Sequence, residues 1–150
     1  MNRRRVFVTG IVVFVAYYVM AFFVHGLWLG ATYQSLIGEV WRPEAELYAK
    51  SWIMHLTTVV FCFVFAYLFA RGYRGGGWRE GVWYGFVVSL FVGLQAVFHA
   101  YATYPIPLDL ALKWYFSGLV MSMILGVVAS LVYKPGAPST KDLSGLNGTS

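Results

Sequence analysis

The chain has 150 residues, of which 59% are hydrophobic, 19% aromatic and only 11% charged, and its mean hydropathy is +0.66. A soluble domain carries about twice that share of charge, so the composition excludes a soluble globular protein and makes lipid the solvent of the fold. The net charge of +5 is no nucleic-acid footprint, because the basic residues gather in loops beside apolar segments; no nucleic-acid partner is expected.

Four long apolar segments follow one another, over residues 6–30, 52–70, 81–101 and 108–133. Each is about long enough to cross ~30 Å of hydrocarbon as a helix rising 1.5 Å per residue. The first follows Arg3, Arg4 and Arg5. Its apolar run of about 24 residues exceeds the ~7–15 of a signal-peptide core, so it reads as a retained helix, with cleavage near Leu29–Ala31 as the alternative. The loop 31–51 carries a helix start of its own. Pro43 suits a first turn, Glu44 and Glu46 favour the positive end of the helix dipole, and Glu46 and Lys50 stand at the favourable i,i+4 spacing.

The second segment contains Cys62, the only cysteine, which rules out an intrachain disulfide and a cysteine-based zinc site and reads as a small buried apolar side chain. The loop 72–78 is basic and glycine-rich but lacks the Gly-Lys-Ser/Thr ending of a phosphate-binding loop. It reads as a flexible hairpin anchoring topology, with contact to anionic lipid headgroups or to a partner's acidic face as the alternative. Pro105 and Pro107 make 102–107 a stiff turn, and Asp109 opens the fourth segment. Residues 1–133 therefore form a single four-helix transmembrane domain. Residues 134–150 form a polar tail with little regular structure, in which the Asn147-Gly148-Thr149 sequon faces the wrong compartment for glycosylation.

The basic residues set an orientation. Arg3, Arg4, Arg5, Arg71, Arg74, Arg79, Lys134 and Lys141 lie on one side of the membrane, and Arg42, Lys50 and Lys113 on the other. The positive-inside rule then predicts an all-α, four-transmembrane-helix antiparallel bundle with N and C termini cytoplasmic.

Helices associate in lipid by close contact, which small residues permit. The third segment carries Gly81, Gly85, Ser89 and Gly93 at i+4 spacing, and the fourth carries Gly118, Ser122, Gly126 and Ser130. These ladders predict that the third and fourth helices form the tightest pair; the alternative is that one ladder faces a partner subunit, a flat pigment or a lipid. Trp28, Trp41, Trp52 and Trp114 gather at the outer boundary and Trp78 and Trp83 at the inner one, as interfacial anchors do. The outer collection also leaves room for a stacking pocket.

His25, His55 and His99 share one depth, within ~8 Å of the outer boundary, and Gln95 lies one turn below His99. Ionisable groups at this depth raise a functional question. In the first of three readings, neutral imidazoles bond to carbonyls, tyrosine hydroxyls or water. In the second, one or two of them ligate a haem or a chlorophyll-type pigment, His55 and His99 facing each other across the bundle, with His25, His55, His99 and Gln95 as candidate cofactor-binding residues. The third is a three-histidine metal site, which no nearby carboxylate supports, so no metal is assigned. Glu39, Glu44, Glu46, Glu80, Asp109 and Asp142 all lie in loops or at boundaries, and Ser89, Ser117 and Ser122 have no base at their depth. No catalytic residue is assigned, and enzyme and pump readings are disfavoured.

The order of features resembles small bacterial four-helix integral membrane proteins of unknown function. The likeness is carried by His25-Gly26, Trp41-Arg42-Pro43-Glu44, Gly72-Tyr73, Glu80-Gly81-Val82-Trp83-Tyr84-Gly85 and Tyr104-Pro105-Ile106-Pro107-Leu108. It implies a multi-pass protein of the bacterial inner membrane and supplies no activity. The leading expectation is a noncatalytic accessory subunit of a larger membrane complex, respiratory or photosynthetic, whose partners are the lipid bilayer and other membrane subunits or further copies of itself. The alternatives are a haem- or pigment-binding protein using the histidines, and a small-molecule carrier whose path Gln95, Thr57 and Thr58 would line.

Overall fold

A computed structural model describes residues 2–133; Met1 and the tail 134–150, with its expected lack of regular structure, lie outside the described residues. Among the described residues four helices are long and apolar enough to cross a membrane: α1 (Arg3–Trp28), α3 (Glu44–Gly72), α4 (Gly77–Thr103) and α5 (Leu108–Val132). A short helix, α2 (Gly30–Leu36), lies between the first two. The fold is all-helical, with one isolated bridge between Ile37 and Trp41.

Local chemistry explains the ends. The Asn2 side chain accepts from the Arg5 N–H at 3.2 Å and caps α1. Pro43 and Pro107 each immediately precede a helix and place Glu44, Glu46 and Asp109 in the first turns. The Gly72–Gly77 connection turns through two left-handed glycines, Gly75 (φ 94°) and Gly77 (φ 64°). Glu80 organises it by accepting from the Arg74 N–H and the Gly76 N–H, both at 2.7 Å. This loop, expected as a flexible hairpin, is thus tied to the first turn of α4 by a carboxylate. The helix α2 was not legible: seven residues are too few to show a periodicity.

The helices pack in the order α3–α1–α5–α4. Neighbours run antiparallel, as Gly10 against Phe63 and His55 against Tyr18 show for α1 and α3. The pair α4–α5 is the most extensive contact. Gly81 lies against the Gly126 backbone and Gly85 against the Ser122 carbonyl, with no room for a side chain at either. The small-residue ladders meet only over this stretch. A side chain at Gly93 would touch only Ser89 Oγ of its own helix, and one at Gly118 would touch nothing within 4 Å. Ser89 and Ser130 are buried, and Ser130 Oγ donates to the Val127 carbonyl at 2.7 Å.

Helices α3 and α4 stand at the two ends of the row and meet through one tyrosine. The Tyr84 hydroxyl donates to the Phe65 carbonyl at 2.8 Å, and its ring lies edge-on to Phe65 and Phe69 at 4.8 and 5.3 Å. The tightly packed core, formed by Val13, Cys62, Phe65, Phe69, Leu125, Ala129 and Tyr133, sits in the half of the bundle nearer the arginines. Nothing on α3 before Cys62, and nothing on α4 after Ser89, is fully buried. At the histidine end burial is instead concentrated where the start of the last helix meets the neighbouring loops, at Leu29, Ile106, Leu110 and Ala111, and both stretches of wide π-helix, Phe22–Trp28 and Ser89–Leu94, lie toward this end. Such stretches are rare and concentrate where a helix has been adapted to a task.

Candidate functional site at the histidine end

The three imidazoles sit in three different surroundings. His25 is carried on the π segment of α1, and the chain then breaks at the buried Leu29 and folds back through α2. That reversal brings Tyr33 under His25, ring to ring at 5.9 Å and 16°, with 2.6 Å between the hydroxyl and Nδ1. The Trp114 indole on α5 donates to the same hydroxyl at 2.8 Å. An indole N–H can only donate, so Tyr33 accepts there and its own proton is free for His25 Nδ1; the opposite tautomer reverses that last bond. Burial pushes the Tyr33 phenol above its ordinary range, against a smaller lowering from the Trp114 bond, so it stays protonated at neutral pH.

Trp41 completes an aromatic cap. Left-handed Gly38 (φ 83°) and the bond from the Gly38 N–H to the Trp41 carbonyl at 3.0 Å turn the chain so that Trp41 meets Tyr33 edge-on at 5.1 Å and Trp114 face-on at 6.1 Å. Trp28, Trp52, Trp78 and Trp83 are exposed, as anchors in a headgroup layer are, whereas Trp41 and Trp114 are half-buried. Beside this pair opens a cavity of about 470 Å3, between α3 and the end of α4, lined by Trp41, Trp114, Val40, Leu47, Tyr104 and Ile106 with Arg42 at its edge. Its size falls within the range of small-molecule sites. Arg42 also pairs with Glu46 at 2.9 Å, and Lys50 approaches the same carboxylate at 3.7 Å.

His55 lies between α3 and α1, stacked on Tyr18 at 5.8 Å with its Nδ1 2.5 Å from the Tyr18 hydroxyl. His99 and Gln95 are exposed on α4 and bond to no described residue. With Thr103, also exposed, they form a strip at i,i+4,i+8 spacing on the regular helix after the π segment, flanked by exposed Val92 and Ala96. Helix α5 packs on another side of α4, where Gly81, Gly85 and Phe98 make their contacts.

The structure therefore does not bring the candidate residues together. His55 and His99 do not meet: His55 is stacked on Tyr18 of α1, and His99 bonds to no described residue. Among the described residues no three His, Cys, Asp or Glu side chains could jointly hold a metal ion. Thr57 and Thr58 are bonded to carbonyls of their own helix, Ile53 at 2.9 Å and Met54 at 2.8 Å. Residue spacing fixes each histidine's position along its own helix but neither its direction nor the level at which neighbouring helices meet, and His55 lies at Tyr18, seven residues before His25 on α1. Tyr18 and Tyr33 were the partners left unassigned by the spacing. The break at Leu29-Gly30, which turns Tyr33 back, has no sequence signal stronger than its glycine.

No protein-family model matches this chain, and neither a curated protein nor a solved structure matches it. The likeness to small four-helix membrane proteins stands at the level of four helices long and apolar enough to span a bilayer.

Proposed function

We propose that the protein is a noncatalytic subunit of a larger membrane assembly, seated in a bacterial inner membrane with both termini cytoplasmic. The observation that carries this reading is the outward-facing strip of Gln95, His99 and Thr103 on α4. Gln95 lies eight residues before the end of α4, about 12 Å along the axis. A primary amide carries two donors and an acceptor oxygen, and hydrocarbon answers none of them. Polar side chains that face out of a membrane helix at this depth act as contacts to another helix. No described helix of this chain covers these side chains. Blue-native electrophoresis after gentle extraction tests the reading. Migration well above the monomer, lost in Gln95→Leu, supports it; a lone monomer under the mildest conditions refutes it.

A second reading is ligation of a haem or chlorophyll-type pigment. It is favoured by the way His25 and His55 each engage a tyrosine hydroxyl through Nδ1. When Nδ1 carries the proton, that bond orients the ring and leaves the Nε2 lone pair free for a metal. An absorption spectrum of protein purified from its own host decides it: a Soret or chlorin band that disappears in His55→Ala or His25→Ala supports ligation, and a featureless visible spectrum rejects it.

A further inference from the structure

We infer that the helix packed on the Gln95 strip is α4 of a second copy of this chain, related to the first by a twofold axis along the membrane normal. The inference rests on the lateral-association reading above and names the partner it leaves open. Three observations carry it.

The first is self-complementarity. Two copies inserted in one bilayer share an orientation, so a twofold axis through this face brings Gln95 of each copy to the same depth as the other. The primary amide is both donor and acceptor. Each NH2 can donate to the other carbonyl oxygen, and both amides are answered by one symmetric contact. A neutral imidazole has the same property, one nitrogen donating and the other accepting, so His99 repeats the pairing one turn further out. This is the isologous arrangement of twofold dimers, in which one patch is its own partner. An unrelated subunit would have to carry matching polar groups at both depths independently.

The second is steric. Ala96 follows Gln95 on the same exposed side and offers only a methyl group, so the two backbones can approach closely enough for the amides to meet. The third is exclusion within the chain. Gln95, Ala96, His99 and Thr103 are all exposed, and Phe98 turns toward Tyr115 of α5 on another side, so no described helix of the same copy covers the strip.

The test uses the single natural cysteine. Cys62 is fully buried, so a cysteine added on a lipid-facing surface is the only accessible thiol. Ala96→Cys in native membranes, oxidised with copper phenanthroline, should give a dimer band on a nonreducing gel. Val60→Cys, on the exposed side of α3, should not. In a separate experiment, two differently tagged full-length copies are coexpressed and extracted gently. One tag should recover the other, and recovery should fall about tenfold when both copies carry Gln95→Leu. Leucine is at home in lipid, so the variant keeps its fold. If tagged copies do not recover each other while the chain still migrates in a large assembly that Gln95→Leu abolishes, the second-copy inference falls and the lateral-association reading stands. A monomer in every measurement overturns both. Equal crosslinking from positions 96 and 60 overturns the assigned face.

Discussion

The carbonyl of Gly81 occupies the space in which a side chain on Gly126 would begin. The two glycines lie on antiparallel helices, and each backbone fills the notch that the other leaves. A neighbouring side chain could rotate away from an added methyl group; a carbonyl held in a helix cannot. Gly126→Ala should therefore lower the stability of the folded protein in detergent by ~1–3 kcal/mol, as overpacking of a close interface does. Gly118→Ala, one position of the same ladder but with open space around it, should stay within ~0.5 kcal/mol of wild type. Thermal denaturation followed by circular dichroism compares them, and equal loss in both would contradict this account of the interface.

The Tyr33 hydroxyl joins α1, α2 and α5 through His25 and Trp114. Tyr33→Phe removes it and leaves the half-buried Trp114 N–H without its partner, at a cost of ~1–3 kcal/mol. The indole proton of Trp114 should exchange with deuterium faster in the variant by nuclear magnetic resonance. Tyr104→Phe is the control, since Tyr104 is exposed and its hydroxyl bonds to no described residue. A Tyr33→Phe protein with unchanged exchange and melting would remove the cap from consideration as a rigid element.

Glu80 holds the Gly72–Gly77 connection through two backbone N–H groups. Glu80→Ala should loosen that loop without unfolding the bundle. Trypsin should then cut after Arg74 at least about tenfold faster, since two charge-assisted bonds are lost and one alone is worth about that factor. Unaltered cleavage would mean that the glycine turns alone keep the loop in place.

Cys62 lies against the core formed by Val13, Phe65 and Leu125. A maleimide should leave it unmodified in the folded protein and label it fully in sodium dodecyl sulfate, and mass spectrometry reads the difference. Rapid labelling of the native protein would mean that the arginine half of the bundle is open, the reverse of the packing described.

Much of this architecture is written along the chain in a form that needs no partner. Helix length and hydrophobicity are local quantities, so the four rods and the starts after Pro43 and Pro107 could be read directly. The glycines at 81, 85 and 126 announced a close approach because only glycine tolerates one. Position along each helix could be counted, but the expectation that the three histidines share one level was not met, since His55 packs against Tyr18, seven residues before His25.

Direction around the helix was not legible. His55 meets Tyr18, seven residues before His25 on α1 and so about 10 Å from it along the axis, whereas His25 bonds under an aromatic cap and His99 is exposed beside Gln95. Those azimuths depend on which helices become neighbours, on two π-helical stretches that shift the register, and on a seven-residue helix too short to show in any pattern. The order of amino acids by itself thus determined the number of long apolar rods and the position of each polar group along its own rod, because these follow from length and apolarity alone. Only the tertiary structure decided which polar groups meet, because a meeting requires the rotations of two helices to agree, and packing sets those rotations.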